Sequence, residues 1–99
     1  MEIRKEMETG RLLIQIQGRI DTTTAPILEG ELKHSVTNEV QELIFDFGSV
    51  EYMSSAGIRV IMAADKVMSR QGEMKLIHVN EEIMDMLDMT GLTDLLTIE

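Results

Sequence analysis

The segment "ELIFDF", Glu42–Phe47, most constrains the fold, because it is a short and nearly continuous apolar run in the middle of the chain. Its length and its β-branched and aromatic residues are typical of a strand buried in a sheet, and Gly48-Ser49 is expected to end it. A buried strand requires other elements around it. The sequence on both sides predicts those elements.

An opening β-hairpin is predicted before this strand. Segments Glu2–Met7 and Leu12–Gln17 flank the glycine-containing connection "ETGR", and the second segment alternates apolar and polar residues. A first helix should follow, with Thr24 as its N-cap, Pro26 in its first turn and apolar residues at helical spacing as far as Val36.

A second helix is predicted from Ser55 to about Arg70, with Gly72 in the usual C-terminal glycine position. Its predicted core face consists of Gly57, Val60, Ile61, Ala64, Val67 and Met68. The opposite side of the helical wheel carries Arg59, Lys66 and Arg70. The helix is therefore expected to have a buried face and a basic outer stripe.

The remaining sequence predicts a further strand and a third helix. Segment Glu73–Val79 alternates as a strand, in which His78 is expected to be half-buried. Asn80 should cap the third helix and Gly91 should end it. Segment Leu92–Ile98 would form a last helical turn or an edge strand. The order β-β-α-β-α-β-α predicts an α/β fold with a mixed sheet of four to five strands and helices packed against it.

Composition limits the classes of function. The 99 residues correspond to a single domain over residues 1–99. There are 18 acidic against 9 basic residues, a net charge of −9, which disfavours nucleic acid and anionic membrane surfaces as partners. No apolar run approaches the roughly 18–20 residues of a membrane span, and the charged start lacks the apolar core of a signal peptide, so a cytoplasmic protein without membrane insertion is expected.

The side chains needed for metal or covalent chemistry are scarce. The chain has no cysteine and only two distant histidines, His34 and His78. This excludes disulfides and a thiol nucleophile, and it offers no local metal motif. No metal and no cofactor are expected.

The stretch "YMSSAGIRV", Tyr52–Val60, places two serines at the predicted start of the second helix. Ser54 could simply cap this helix, with Ser55 a small residue of the first turn. A catalytic serine is disfavoured, because the G-x-S-x-G pattern and an evident base are absent. A phosphoacceptor is the third reading, since a phosphate at a helix N-terminus meets unpaired amides and the positive end of the dipole.

The chain resembles the STAS domain of anti-sigma factor antagonists. The resemblance rests on "GRIDTTTAPILEGEL", on "YMSSAGI" between a hydrophobic strand and a helix, and on the closing "MTGLTDLL", and it covers nearly the whole chain. The order of these elements is more specific than any one of them.

In that family a serine in a D-S-[ST]-G turn is phosphorylated by a cognate anti-sigma factor that is itself a serine kinase. The resemblance places the acceptor at Ser55, with Ser54 as second choice because it stands where the family often has aspartate. Ala56 stands where the family often has serine or threonine. The surface expected to bind the kinase consists of Asp21, Thr22, Thr23, Ser54, Ser55, Ala56, Gly57, Arg59 and Met62.

The resemblance implies a non-enzymatic partner switch. Unphosphorylated protein would bind the kinase and release a sigma factor, phosphorylation would end that contact, and a PP2C-type serine phosphatase would restore it. Two alternatives stay open: a STAS interaction subunit of a lipid or solute transport complex, and a nucleotide-binding or hydrolytic domain. The absence of a glycine-rich P-loop and of a nucleophile-base pair argues against the second alternative.

Overall fold

A computed structural model describes residues 1–99 and shows a five-stranded mixed sheet with three helices. In chain order the elements are β1 (Glu2–Glu8), β2 (Arg11–Ile20), α1 (Ala25–Ser35), β3 (Glu42–Met53), α2 (Ser55–Met68), β4 (Glu73–Ile77), α3 (Glu81–Met89), a short 3₁₀ turn (Leu92–Asp94) and β5 (Thr97–Ile98). The strands lie in the sheet in the order of the chain. β1 and β2 are antiparallel and all later neighbours are parallel, which confirms the predicted α/β fold with a mixed sheet.

The predicted hairpin is present. Glu8 pairs with Arg11 across a two-residue turn, and Gly10 occupies it with a positive φ of 70°. Glycine adopts this conformation without the steric cost of a β-carbon, so the local sequence sets the register of β1 on β2.

The helices cover one face of the sheet, because each parallel connection joins adjacent strands in the same direction and such crossovers are right-handed. Alternate strand residues such as Ile14, Phe45 and Leu76 point into a core cluster of 23 buried side chains. The strand residues between them, such as Gln15 and Asp46, point to the open face. There Gln15 Nε2 donates a hydrogen bond to Asp46 Oδ2 at 3.4 Å. The sheet therefore has a packed face and an open face.

Strand β3 is longer than its apolar run. It was predicted to end at Phe47, but it continues to Met53, and that boundary was wrong. The pairing of β2 with β3 shifts register between Gln15 and Gln17, and the Asp46 carboxylate accepts a hydrogen bond from the Gly48 amide at 2.9 Å. These irregularities let Gly48-Ser49 sit inside a strand that keeps its partner.

Two side-chain placements also differ from the prediction. His78 is exposed and lies beyond the end of β4 at a positive φ of 57°, with its Nδ1 2.9 Å from Asp46 Oδ1, so it is not a half-buried strand residue. Val67, expected in the core, is 44% exposed. It faces the space between α1 and α2 instead of the sheet.

The helix ends at Asn80 and Gly91 follow the predicted signals, whereas those at Thr24 and Gly72 do not. Asn80 caps α3 by accepting a hydrogen bond from Ile83 N at 2.9 Å, and Gly91 follows α3 with a φ of 76°. Thr24 stands at the start of α1, but its hydroxyl donates to the Arg19 carbonyl at 2.7 Å and does not cap the helix. The last segment forms both a 3₁₀ turn and a short edge strand. No helix has the length and apolarity needed to cross a bilayer.

Candidate functional site

The site lies where β2 and β3 end side by side. Ile20 pairs with Met53 in the parallel ladder, both side chains are buried, and the Ser54 amide donates to the Ile20 carbonyl at 2.8 Å. The loop that starts at Asp21 and the serine turn therefore leave the same edge of the sheet from adjacent positions. The structure thus brings the Asp21 loop and the serine turn together, two segments that lie far apart in the sequence.

Ser54 begins the second helix, as predicted. Its backbone is extended, with φ −94° and ψ 177°, and its Oγ accepts a hydrogen bond from Ala56 N at 3.3 Å. Its carbonyl accepts hydrogen bonds from Gly57 N at 3.0 Å and Ile58 N at 3.2 Å. The Ser54 hydroxyl therefore has a structural task.

Ser55 is the first residue of α2 and differs from Ser54 in its surroundings. It is exposed, and its hydroxyl forms no hydrogen bond within the chain. The first-turn amides and the positive end of the helix dipole lie next to it. A negatively charged group on this oxygen would be stabilised without rearrangement of the domain.

Gly57 fixes how closely α2 approaches the sheet. It is buried, and a β-carbon at this position would lie 2.6 Å from Met53 Cγ and 2.7 Å from Ile20 Cγ2. Gly57 thus positions the serine turn against the two strand ends. Ala56 is half-buried and packs against the core.

Replacing Gly57 by alanine is expected to lower the free energy of unfolding by about 1–3 kcal/mol, because the added methyl group overpacks the contact with Met53 and Ile20. Urea titration of the variant measures this loss as a lower midpoint. An unchanged midpoint would mean that the contact between α2 and the sheet is looser than the structure shows.

The Asp21 loop is ordered by its own hydrogen bonds. Asp21 Oδ1 accepts from Thr23 N at 3.0 Å and Thr24 N at 3.1 Å, while the Asp21 amide donates to Thr24 Oγ1 at 2.9 Å. The hydrogen bonds from the backbone amides of Thr24 and Thr23 hold the pKa of the Asp21 carboxyl below its usual range. The side chains of Thr22 and Thr23 remain exposed beside the serine turn.

Asp21 should make stability dependent on pH in the acid range. Its pKa is lower in the folded than in the unfolded chain, so the folded state binds fewer protons and the stabilisation is complete above about pH 4. It is lost as the pH falls through the lowered folded value. The difference in urea midpoint between wild type and Asp21→Asn is therefore expected at pH 7 and should shrink toward pH 2. If the difference in urea midpoint stays constant from pH 7 to pH 2, the Asp21 carboxylate does not cause the pH dependence of stability.

Arg19 and Tyr52 form a contact that sequence reasoning missed. They are cross-strand neighbours in the last part of the β2–β3 ladder, and the Arg19 guanidinium lies 4.3 Å from the centre of the Tyr52 ring. Arg19 Nε also lies 3.9 Å from Asp21 Oδ2. Because this pairing depends on the irregular register of the two strands, local sequence patterns carry no signal for it.

The other predicted residues lie on or near α2. Arg59 is exposed one turn after Ser55 and has no ion-pair partner. Met62 is half-buried against the core. The exposed residues at the strand ends and on α2 thus form one candidate binding surface.

Neither serine of the site is hydrogen-bonded to a side chain that could act as its base. The ring of His78 is hydrogen-bonded to Asp46, and no hydrogen bond joins either serine to a histidine. Partial burial raises the pKa of the Asp46 carboxyl, but hydrogen bonds from Gly48 N, His78 and Gln15 outweigh this and keep the pKa below its usual range. The arrangement suits modification or recognition of the Ser55 hydroxyl better than catalysis by it.

Comparison with known proteins identifies relatives over nearly the whole chain. The family model described as "STAS domain" matches residues 2–99. The anti-sigma-B factor antagonist of Listeria monocytogenes is 32% identical over 96 residues, covering 96% of this chain and 84% of that protein.

Two solved structures share the fold. An anti-sigma factor antagonist from Mycobacterium paratuberculosis superimposes with a TM-score of 0.89 at 22% identity, covering 98% of this chain and 83% of that chain. The Bacillus cell fate determinant SpoIIAA in its phosphorylated form superimposes with a TM-score of 0.78 at 15% identity, covering 99% and 91%.

Proposed function

Because the chain belongs to the STAS domain family, we propose that it is an anti-sigma factor antagonist that binds an anti-sigma factor serine kinase and is released from it by phosphorylation of Ser55. The name of the Listeria relative supports antagonism of an anti-sigma factor. Anti-sigma factor antagonists are regulatory proteins that act by binding and not by catalysis.

The observation that carries the proposal is the difference between the two serines. Ser54 uses its oxygen to cap α2, whereas the Ser55 hydroxyl is exposed and free at the first helical position. A phosphate on Ser55 would add about −1.5 to −2 charge at the positive end of the α2 dipole, where it changes the surface and leaves the fold intact. That the similar Bacillus protein has been solved in a phosphorylated form supports the same chemistry here.

The proposed circuit has two states. The unphosphorylated chain binds the kinase through Asp21, Thr22, Thr23, the serine turn, Arg59 and Met62, and so frees a sigma factor for transcription. The phosphorylated chain dissociates from the kinase, because the added phosphate charge would have to lose its hydration on binding. A PP2C-type phosphatase resets the protein, and the circuit operates in the cytoplasm.

Binding of unmodified chain to each anti-sigma factor kinase encoded in the same genome tests this function. Calorimetric titration is expected to find one kinase that binds wild type and Ser55→Ala with similar affinity, since alanine removes the acceptor without adding charge. Failure of every kinase to bind would overturn the proposal. Such a result would favour the alternative of an interaction subunit in a lipid or solute transport complex.

A further inference from the structure

The unpaired basic residues of this acidic chain are concentrated on α2. Of nine lysines and arginines, five form ion pairs, namely Lys5, Arg11, Arg19, Lys33 and Lys75. Three of the other four, Arg59, Lys66 and Arg70, are exposed along α2 and in the turn that follows it. A net charge of −9 makes this an isolated positive surface on a negative molecule.

Helical spacing places these cations in one stripe. Residues 59, 66 and 70 are separated by seven and four positions, so they project from the same side of the helix. Ser55 precedes Arg59 by four positions and lies at the start of the same stripe. No acidic side chain pairs with any of the three.

An apolar groove of about 140 Å³ runs beside this stripe, between α1 and α2. Its apolar lining consists of Leu32, Val36, Val60, Ala63, Ala64 and Val67. Glu29 and Lys33 lie at its α1 side and pair with each other at 3.4 Å, so they cancel in charge. The net charge next to the groove is therefore that of the α2 stripe.

We propose that this surface docks an acidic amphipathic helix of the protein partner. The apolar side of that helix would occupy the α1–α2 groove, and its carboxylates would face Arg59, Lys66 and Arg70. The inference rests on the proposed function for the partner's identity as an anti-sigma factor, and it adds the chemistry of the contact. A nucleic-acid backbone fits less well, because it has no use for the apolar groove and is repelled by the rest of the molecule.

Docking of an acidic helix gives phosphorylation a direct physical effect. A phosphate on Ser55 would stand in the basic stripe, one turn from Arg59, where it would offset positive charge and repel the partner's carboxylates. One modification would thus weaken attraction along the whole contact. The switch residue and the docking surface are parts of the same helix face.

The test uses a synthetic 18-residue helical peptide with leucines on one face and glutamates on the other, titrated into isotope-labelled chain and followed by NMR. We expect shifts at the amides that line the groove, and binding weakened about tenfold or more by the triple variant Arg59→Glu, Lys66→Glu, Arg70→Glu. Arg4→Glu, compared with the single variant Arg59→Glu, is the control for charge, because Arg4 is the fourth unpaired cation and lies on the open face of the sheet. It should bind like wild type.

The proposed docking surface is wrong if the glutamate peptide does not bind, or if it shifts only amides of other elements. It is also wrong if the triple variant binds as well as wild type, or if a peptide with lysine in place of glutamate shifts the groove amides equally. A DNA duplex that shifts the same amides would replace the acidic helix as occupant. Binding of the glutamate peptide without binding of any anti-sigma factor would keep this inference and reject the proposed function, so the two fail separately.

Discussion

Replacing Ser55 by aspartate is expected to weaken binding to the anti-sigma factor about 10- to 100-fold, which corresponds to about 1.4–2.8 kcal/mol. The new carboxylate stands at the first position of α2, on the exposed side that also carries Arg59. Aspartate near a helix N-terminus is favourable for the helix, so the fold should be retained. The loss is therefore expected in binding and not in thermal stability.

Ser54→Asp is the matched control, because it adds the same charge one residue earlier. Ser54 is the N-cap and aspartate is as good an N-cap as serine, so the carboxylate would accept the helix amides and remain partly sequestered. Binding within about threefold of wild type is expected for this variant. Equal losses for the two variants would show that charge anywhere in the turn, rather than at Ser55, disrupts the contact.

Replacing Gly72 by alanine is expected to cost about 3 kcal/mol or more of the free energy of unfolding. A β-carbon at this position would lie 1.9 Å from the carbonyl oxygen of Gln41. That carbonyl cannot retreat freely, because it accepts the amide of Glu73 at 2.9 Å, while the Gln41 amide itself donates to Gly10 at 2.7 Å. The clash thus involves backbone that holds the first residues of β3 and β4 together.

Gly30→Ala is the control for this prediction. Gly30 lies in the middle of α1 and a β-carbon there meets nothing within 4 Å, so alanine should stabilise the chain by about 0.5–1 kcal/mol. Thermal unfolding followed by circular dichroism should separate the two variants, with a Tm lowered by about 12 °C or more for Gly72→Ala. A Tm for Gly72→Ala within a few degrees of wild type would contradict the close approach.

Features set by neighbouring residues could be predicted from the sequence. The hairpin at Gly10, the cap at Asn80 and the helix end at Gly91 all depend on short-range chemistry, and the structure confirms them. Gly72 was expected in the usual glycine position after a helix, but its φ is not positive and its importance comes from the close approach of Gln41. Such a contact between distant residues leaves no local pattern.

The wrong predictions about the fold also result from contacts between residues that are distant in sequence. Strand β3 passes through Gly48-Ser49 because β2 supplies a continuing partner with a shifted register, which the apolar run alone does not reveal. Val67 was predicted on the core face of α2, but it lies on an open groove between α1 and α2. In both cases a neighbouring element decided the outcome.

The candidate site, like the fold, could be predicted where it depends on neighbouring residues and not where it depends on distant ones. The different tasks of Ser54 and Ser55 follow from their positions at the helix start, and the structure supports the distinction through the Ser54 cap and the free Ser55 hydroxyl. The Arg19–Tyr52 contact required the register of two strands, and the apolar groove required the packing of two helices. The sequence therefore indicated the proposed phosphoacceptor better than the surface around it.

The most direct test of the central claim is to phosphorylate the chain with the anti-sigma factor kinase that binds it, locate the phosphate by mass spectrometry and titrate the purified phosphorylated form against the same kinase. We predict one phosphate, on Ser55, with binding at least about tenfold weaker and recovered after treatment with a PP2C-type phosphatase. A phosphate on Ser54 alone, or a Ser55-phosphorylated chain that binds as tightly as the unmodified one, would contradict the account.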